Sequence, residues 1–217
     1  MKQITSIVSL TMLSSSLLLS GAVHSYQAGD VIVRAGSATI SPTSSYSSVA
    51  GGAFNLRADD DTQLGVSVSY MFHDAWSINL LAATPYKHDI EAKEAGGSSI
   101  ASARHLPPTV TVSWYPLAHQ GSAFKPYVGA GLNYTFFWDE TLNATGKAAT
   151  GAEKLSLSSS WGLAAQLGFD YSLNDHWGVG AAVYYVDLDT DVKLDGNKIG
   201  SVDIDPLVYR LQLAYRF

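Results

Sequence analysis

Apolar and polar residues alternate along most of this chain, which is typical of β-strands with one apolar face. In the segment 64–72, for example, Leu64, Val66, Val68, Tyr70 and Phe72 alternate with small or polar residues, apart from Met71. Successive side chains of a strand point to opposite faces, so this spacing predicts strands. The segments with clear alternation are 64–72, 76–82, 110–114, 128–136, 161–171, 177–185 and 207–217, and a weaker one is 30–40. The pattern therefore predicts eight strands.

Two features indicate that the apolar faces contact lipid. Aromatic residues lie at the ends of these faces, where the aromatic girdles of membrane barrels lie. The opposite faces carry mainly small and polar residues, whereas a soluble β-sandwich, the alternative, would bury bulky residues between its sheets. The aromatic residues are Tyr70, Phe72, Trp76, Trp114, Tyr134, Phe136, Trp161, Tyr171, Trp177, Tyr215 and Phe217.

Other features of the sequence agree with this interpretation. Only 15% of the residues are charged, which is low for a water-soluble domain. No stretch after residue 25 reaches the roughly 18 apolar residues of a spanning helix. Strands that cross a membrane must close into a barrel, because no water satisfies the backbone groups of an open edge. We therefore expect an all-β protein, an eight-stranded antiparallel transmembrane β-barrel with strands of about 9–11 residues.

The connections between the predicted strands alternate in length. Short turns occupy 73–74, 116–125 and 172–176, and long polar loops occupy 41–61, 87–105, 138–159 and 188–204. Short periplasmic turns and long extracellular loops are typical of outer-membrane barrels. An even number of strands then places both termini in the periplasm.

The N-terminus has the pattern of a signal peptide. Lys2 precedes an apolar run over 7–19, and Val23 and Ser25 occupy the positions that a signal peptidase reads. We expect residues 1–25 to be removed and 26–217 to form the barrel; an N-terminal membrane anchor is the alternative. The chain has no cysteine, which excludes a lipoprotein, a thiolate metal site and a thiol nucleophile. Basic residues are few and scattered, so we expect no nucleic-acid partner.

Eight short segments, in order along the mature chain, resemble one known family. They are RAGSAT (34–39), TQLG (62–65), LLAATP (80–85), HLPPT (105–109), KPYVGAGLNYT (125–135), SWG (160–162), GFDY (168–171) and AYRF (214–217). The chain resembles the outer membrane protein W family of Gram-negative bacteria. The resemblance implies a narrow eight-stranded barrel among the lipids of the cell outer membrane, which passes or binds small hydrophobic molecules. Tyr215 and the terminal Phe217 look like the signal that the barrel-assembly machinery reads.

Three bulky apolar or aromatic residues break the small-and-polar rule on the inward faces. They are Leu81, Tyr184 and Val186, and all three are expected in the extracellular half of the lumen. The family has a hydrophobic constriction formed by a leucine at the position of Leu81 and a tryptophan at that of Tyr184. These residues therefore form either an apolar lumen gate or ordinary packing, because an eight-stranded barrel is just wide enough for side chains to fill it.

Four inward-facing charged residues are the second group of candidates. Arg34, Asp170, Arg210 and Arg216 are expected in the lower lumen, near Gln166 and Gln212. Buried charges are costly unless they are paired, so we expect a hydrogen-bonded network that closes the periplasmic end, with Asp170 as acceptor. A proton or ion path is the alternative.

The loops carry little chemistry. His88, Asp89 and Glu91 are adjacent and His105 opens the next strand, a pattern more typical of surface pairs than of an active site. The sequence has no nucleophile elbow and no His-Glu-x-x-His motif, so we expect no enzyme, no catalytic residue, no metal and no cofactor. Two functions are favoured: a channel or binding pore for small hydrophobic molecules, and a structural or surface-interaction protein whose loops act as receptor or adhesin. A lipid-modifying or proteolytic enzyme at the rim is a third hypothesis, which a His–carboxylate–Ser cluster within hydrogen-bond reach would support.

Overall fold

Eight strands form a closed antiparallel barrel in the computed structural model, which describes residues 25–43 and 46–217. The predicted signal peptide lies outside these residues except for Ser25. The barrel strands are β1 (Val31–Ser41), β4 (Asp61–His73), β5 (Trp76–Ala83), β8 (Thr109–Trp114), β9 (Phe124–Leu142), β11 (Ser160–Ser172), β12 (Trp177–Val186) and β15 (Leu207–Arg216). Neighbouring strands follow the order β11-β12-β15-β1-β4-β5-β8-β9 around the barrel, and pairing of β9 with β11 closes the ring. The predicted fold class is confirmed.

The apolar faces of these strands point outward. Leu163 and Leu211, which lie on different strands, expose 66% and 68% of their surface, whereas Ser67 and Thr111, at inward-facing positions of two other strands, are almost completely buried. An apolar side chain with that exposure would be unfavourable in water and is favourable in lipid. The period-two pattern of the sequence therefore corresponds to a lipid-facing surface around a polar lumen.

Aromatic pairs lie at both ends of the outer surface. At the end of the barrel that holds Tyr26, Trp76 packs on Trp114 with ring centroids 6.4 Å apart. Trp177 lies edge-on to Tyr215 at 4.8 Å at the same end. At the other end, the rings of Tyr134 and Trp161 are 4.6 Å apart. These are the positions of interfacial girdles, since amphipathic rings favour the boundary between lipid and water.

The strands differ in length more than the sequence suggested. β8 has six residues and β9 has 19, so β9 continues well beyond the barrel. The protruding part of β9 pairs with β7 (Ser98–Leu106), which continues to β6 (Tyr86–Ala92), β3 (Phe54–Ala58) and β2 (Ser47–Val49). A second sheet contains β10 (Leu155–Leu157), β13 (Asp189–Leu194) and β14 (Asn197–Asp203). We call these two sheets the extracellular extension.

The long connections 41–61, 87–105, 138–159 and 188–204 thus contain strands that the alternation did not reveal. These segments also contain the helix α1 (Ala144–Thr150) and 3₁₀ turns at Ala50–Gly52 and Lys93–Ala95. Their apolar residues are isolated in sequence but meet in a separate buried cluster. Its fully buried members are Val49, Ala92, Ile100, Ala101, Leu142, Ala152, Leu155 and Val192. Among the described residues, no helix is long and apolar enough to cross a membrane.

Candidate functional site

A buried ion pair crosses the lower half of the lumen. Arg34 on β1 and Asp170 on β11 are 2% and 0% exposed, and the Nη2 atom of the arginine lies 2.6 Å from Oδ2 of the aspartate. Nε of the arginine is 3.1 Å from both carboxylate oxygens, and Nη1 donates to Ser69 Oγ at 2.6 Å. Such fork-shaped, charge-assisted contacts are the strongest that the two groups form.

Three tyrosines and a glutamine surround this pair. The Tyr26 hydroxyl donates to Asp170 Oδ2 at 3.0 Å, and Nη2 of Arg34 donates to the Tyr115 hydroxyl at 3.1 Å. Gln212 donates to the Tyr127 hydroxyl at 3.3 Å. The ring of Tyr115 packs on those of Tyr26 and Tyr127, with centroids 5.6 Å and 5.3 Å apart. Together these side chains fill the periplasmic half of the lumen; we call them the lumen plug.

Two glycines make room for this packing. A Cβ atom at Gly168 would lie 2.6 Å from the ring of Tyr127, and one at Gly129 would lie 2.7 Å from Nε2 of Gln166. Real Cβ atoms do not approach other atoms so closely, because the interior of a protein is already close-packed. These two inward-facing glycines therefore provide space for long side chains of the neighbouring strand, rather than an open pore.

The four predicted charged residues do not form one network. Arg210 Nη1 donates to Ser67 Oγ at 3.1 Å, whereas Arg216 forms an ion pair with Asp30 at the periplasmic rim, with Nε 2.8 Å from Oδ2. Gln166 donates to Thr111 Oγ1 at 2.9 Å and to Ser113, away from Asp170. Alternation assigns a residue to the lumen but not to a depth, and six residues of strand separate positions 210 and 216 by about 20 Å. Of the four, only Arg34 and Asp170 pair with each other.

The predicted gate residues lie together in the upper lumen. Leu81, Tyr184 and Val186 are buried and line a small cavity of about 20 Å³, together with Ile40, Tyr86 and Val208. The Tyr184 hydroxyl accepts a hydrogen bond from Asn79 Nδ2 at 3.2 Å. Its hydroxyl thus joins the polar network of the mid-lumen while its ring faces the apolar upper cavity. Whether these residues act as a gate stays a prediction.

The barrel wall beside this cavity lacks a stretch of strand pairing. The last pair of β5 with β8 is Leu81 with Thr109, and the first pair of β6 with β7 is Tyr86 with His105. Between them, 82–85 faces 106–108 with no backbone pair. These segments contain Pro85, Pro107 and Pro108, which have no N–H to donate. The cavity lies directly behind this wall gap, since Ala82, Ala83 and Pro107 also line it.

A larger apolar cavity lies between the two sheets of the extracellular extension. It has a volume of about 80 Å³, and Ile40 lines both this cavity and the smaller one in the barrel. Apolar side chains of nine different strands form most of its wall, among them Phe54, Ile90, Ile100, Phe137, Leu155 and Val192. We call it the extracellular cavity.

Two histidines bring polar atoms into this apolar wall. His88 on β6 and His105 on β7 are buried, and their ring centroids are 4.8 Å apart. Tyr86 stacks on His88 at 6.3 Å and lies edge-on to His105 at 5.5 Å. Burial, with a smaller contribution from His88, lowers the pKa of His105 to about 3. His88 lies beside a carboxylate as expected, with Nδ1 3.7 Å from Oδ1 of Asp59, but its ring is buried and points inward instead of lying at the surface.

The acidic neighbours of His88 point away from the cavity. Asp89 is exposed, and Glu91 accepts a hydrogen bond from Arg57 at 2.7 Å on the outer side. Sequence reasoning missed Ile40 and Tyr86, which separate the two cavities. Period-two alternation within β6 was the available signal, since it places Tyr86 and His88 on one face.

The chain ends on the outer surface of the barrel. Phe217 is 70% exposed, its backbone N–H donates to Val31 at 2.9 Å, and its ring lies edge-on to that of Tyr215 at 4.7 Å. A C-terminal strand with exposed aromatic residues is compatible with the predicted assembly signal. Its recognition by the assembly machinery stays a prediction.

Comparison with known proteins places these features in a family. The OmpW family model matches residues 27–217. The chain is 43% identical to outer membrane protein W of Escherichia coli (strain K12), over 94% of this chain and 96% of that protein. It is also 43% identical to outer membrane protein W of Vibrio cholerae, over 92% and 94%. The crystal structure of the outer membrane protein OprG from Pseudomonas aeruginosa is similar, with a TM-score of 0.81 and 42% identity over 89% of this chain and 98% of that one. The protein is therefore an outer-membrane β-barrel that belongs to the OmpW family.

Proposed function

We propose that this protein takes up small hydrophobic molecules at the cell surface, without catalysing a reaction on them. The observation that carries the proposal is the extracellular cavity of about 80 Å³, whose wall is mostly apolar. Transfer of an apolar molecule from water into such a cavity is favourable in proportion to the apolar surface that it buries. The cavity is about half as large as an apolar protein cavity of roughly 150 Å³ that holds benzene, and it is not fully enclosed, so a ring-sized molecule extends into its opening.

The lumen plug makes a straight path to the periplasm unfavourable. An apolar molecule that moved down the lumen would separate Arg34 from Asp170 and leave two buried charges unpaired. The path of lower cost leads past Ile40 and Tyr86 into the small cavity behind the wall gap. From there we infer that the molecule leaves sideways between 82–85 and 106–108, into the membrane. Leu81, Tyr184 and Val186 then form the floor that directs it to the gap.

The test measures the uptake of toluene into lipid vesicles that contain the protein. The outer leaflet of these vesicles is lipopolysaccharide, which slows the entry of apolar solutes. Ala103 lines the extracellular cavity, so Ala103→Leu places three more heavy atoms in it. We expect it to reduce protein-dependent uptake several-fold. Ala148→Leu is the matched control, because Ala148 lies exposed on α1. Equal uptake by the two folded variants would contradict the proposal.

The filled lower lumen also fits a second candidate function, that of a surface-interaction protein. Its extracellular extension is ordered by two sheets and an apolar core, as a receptor or adhesin surface would be. The same experiment separates the two, because a surface-interaction role needs no toluene uptake above that of protein-free vesicles. The extracellular cavity favours the uptake function.

A further inference from the structure

The extracellular cavity contains two buried polar atoms without a partner. Nε2 of His88 and Nε2 of His105 make no hydrogen bond within the part of the chain that the structure describes. Both residues line the cavity, and they are 6% and 3% exposed. An unsatisfied buried polar atom is destabilising, so such atoms in native proteins usually meet a ligand or a bound water.

The hydrogen-bonding role of His88 follows from its other ring nitrogen. Nδ1 lies 2.6 Å from the backbone carbonyl oxygen of Asp59, which accepts hydrogen bonds and never donates them. Nδ1 is therefore protonated, and in the neutral ring Nε2 carries a lone pair and accepts. This atom needs a donor from whatever occupies the cavity.

His105 restricts the charge of the occupant. The lowered pKa of this residue, caused mainly by burial, makes its ring neutral at physiological pH. A carboxylate has no proton to offer to Nε2 of His88, and it would lose its hydration beside the neutral ring of His105. An ammonium group would also enter an apolar cavity unpaired. A neutral hydroxyl group, by contrast, both donates and accepts, so it suits His88 and either tautomer of His105.

We propose that the paired histidines select, among small apolar molecules, those that carry one hydroxyl group. The hydroxyl hydrogen is donated to Nε2 of His88, and the hydroxyl oxygen lies beside Nε2 of His105. The ring separation of 4.8 Å lets one oxygen atom contact both imidazoles. The apolar remainder of the molecule occupies the space between Ile90, Ile100 and Val192. This inference rests on the proposed uptake function and names its preferred substrate class.

Phenol and toluene are the probes, because they have the same shape and number of heavy atoms and differ in a hydroxyl against a methyl group. Their dissociation constants are measured by NMR titration of the labelled protein in lipid nanodiscs, following the amide signals of Ala101 and Ala103. The quantity compared is the ratio of the toluene constant to the phenol constant. Partition of each probe into lipid is the same for every variant, so it cancels between variants.

The variants are His88→Phe, which keeps a ring but removes the acceptor, and His105→Leu, which replaces the second imidazole. His88→Gln keeps a polar atom near the position of Nε2. His119→Phe is the matched control, since His119 is exposed in a periplasmic turn. Heat-modifiable migration in detergent gels shows whether each variant is folded. If only one of His88→Phe and His105→Leu folds, that variant is sufficient for the comparison.

We expect His88→Phe to lower the ratio about tenfold, the effect of one lost buried hydrogen bond, and His88→Gln to recover part of it. His119→Phe should leave it unchanged. If toluene binds the wild-type protein but the ratio is the same in all folded variants, the hydroxyl preference is refuted and the uptake function stands. A bridging water that satisfies both imidazoles would give this result. If neither probe binds the wild-type protein, both proposals are refuted.

Discussion

Replacing Asp170 by asparagine tests whether the lumen plug holds the barrel together. The carboxylate accepts hydrogen bonds from Arg34, Tyr26 and Gln212, and both partners of the ion pair are almost completely buried. Asparagine has nearly the same shape but only one acceptor oxygen and no charge. The substitution therefore leaves the Arg34 guanidinium as an unpaired cation in the lumen.

The magnitude follows from the burial of the pair. Removing one partner of a buried ion pair costs about 3–5 kcal/mol of unfolding free energy, because the other charge remains desolvated. Asp30→Asn is the matched control, since it breaks the ion pair with Arg216 at the rim. The side chains there are 13% and 17% exposed, against 1% and 3% for Asp170 and Arg34. These two side chains are closer to water than those of the lumen plug, so we expect Asp30→Asn to cost less than Asp170→Asn.

The assay is urea unfolding in lipid vesicles, followed by tryptophan fluorescence and by heat-modifiable migration. A third variant, Arg34→Gln with Asp170→Asn, removes both charges and should recover most of the stability that Asp170→Asn loses. If Asp170→Asn is no less stable than Asp30→Asn, the ion pair of the lumen plug contributes no more to the unfolding free energy than the pair at the rim. In that case the argument that it blocks a straight path to the periplasm fails as well.

Two further predictions concern the lipid face and the extracellular extension. Leu211→Arg places a charge on a lipid-facing side chain that is 68% exposed, and should lower the unfolding free energy by about 2–4 kcal/mol if position 211 lies near the midplane. Leu211→Ala is the control and should cost much less. Equal losses of unfolding free energy would contradict the outward orientation of this side chain. The pKa of His105 is about 3 in the folded protein and about 6.5 in the unfolded protein, so between these values only the unfolded protein binds a proton at His105. The contribution of this residue to the unfolding free energy is therefore complete above about pH 6.5. It falls by about 1.4 kcal/mol per pH unit as the pH decreases toward 3. Urea unfolding of the extension, followed through the fluorescence of Trp138, should show this pH dependence in the wild-type protein and lose it in His105→Leu; an unchanged dependence would show that another group titrates.

The barrel was predictable because lipid contact imposes a strict pattern on each strand. Side chains such as Leu163 and Leu211 face the hydrocarbon of the membrane in the folded protein, so every second position of their strands is apolar over many residues. The aromatic residues at the strand ends, such as Trp114 and Trp161, add an independent signal at both interfaces. Two agreeing patterns were enough to give the strand number and the orientation of each face.

The extracellular extension was not predictable by the same reasoning. Its strands are short, and their buried faces meet residues that are distant in sequence, as when Val49 contacts Gly200. A segment such as β10, with three residues, is too short for period two to be recognised. The depth of the charged residues along the barrel axis could not be predicted either. Alternation shows which face of a strand a residue occupies, but not the level in the lumen at which Arg34, Arg210 and Arg216 lie.

The prolines explain why an interruption of the wall is tolerated at this level of the membrane. The backbone N–H of Tyr134, a residue of the extracellular girdle, donates to the carbonyl of Pro108 at 3.0 Å, so the wall gap lies at the depth of that girdle. An unpaired N–H group at membrane depth is costly because no water is present to accept from it. Three of the seven residues in the two facing segments are prolines, which have no N–H and leave fewer unsatisfied donors than an ordinary pair of strands. The same residues that lower the cost of the gap also prevent the two segments from pairing and closing it. A gap in the backbone ladder, next to an apolar cavity and above the lumen plug, is the arrangement that the lateral release proposed above requires.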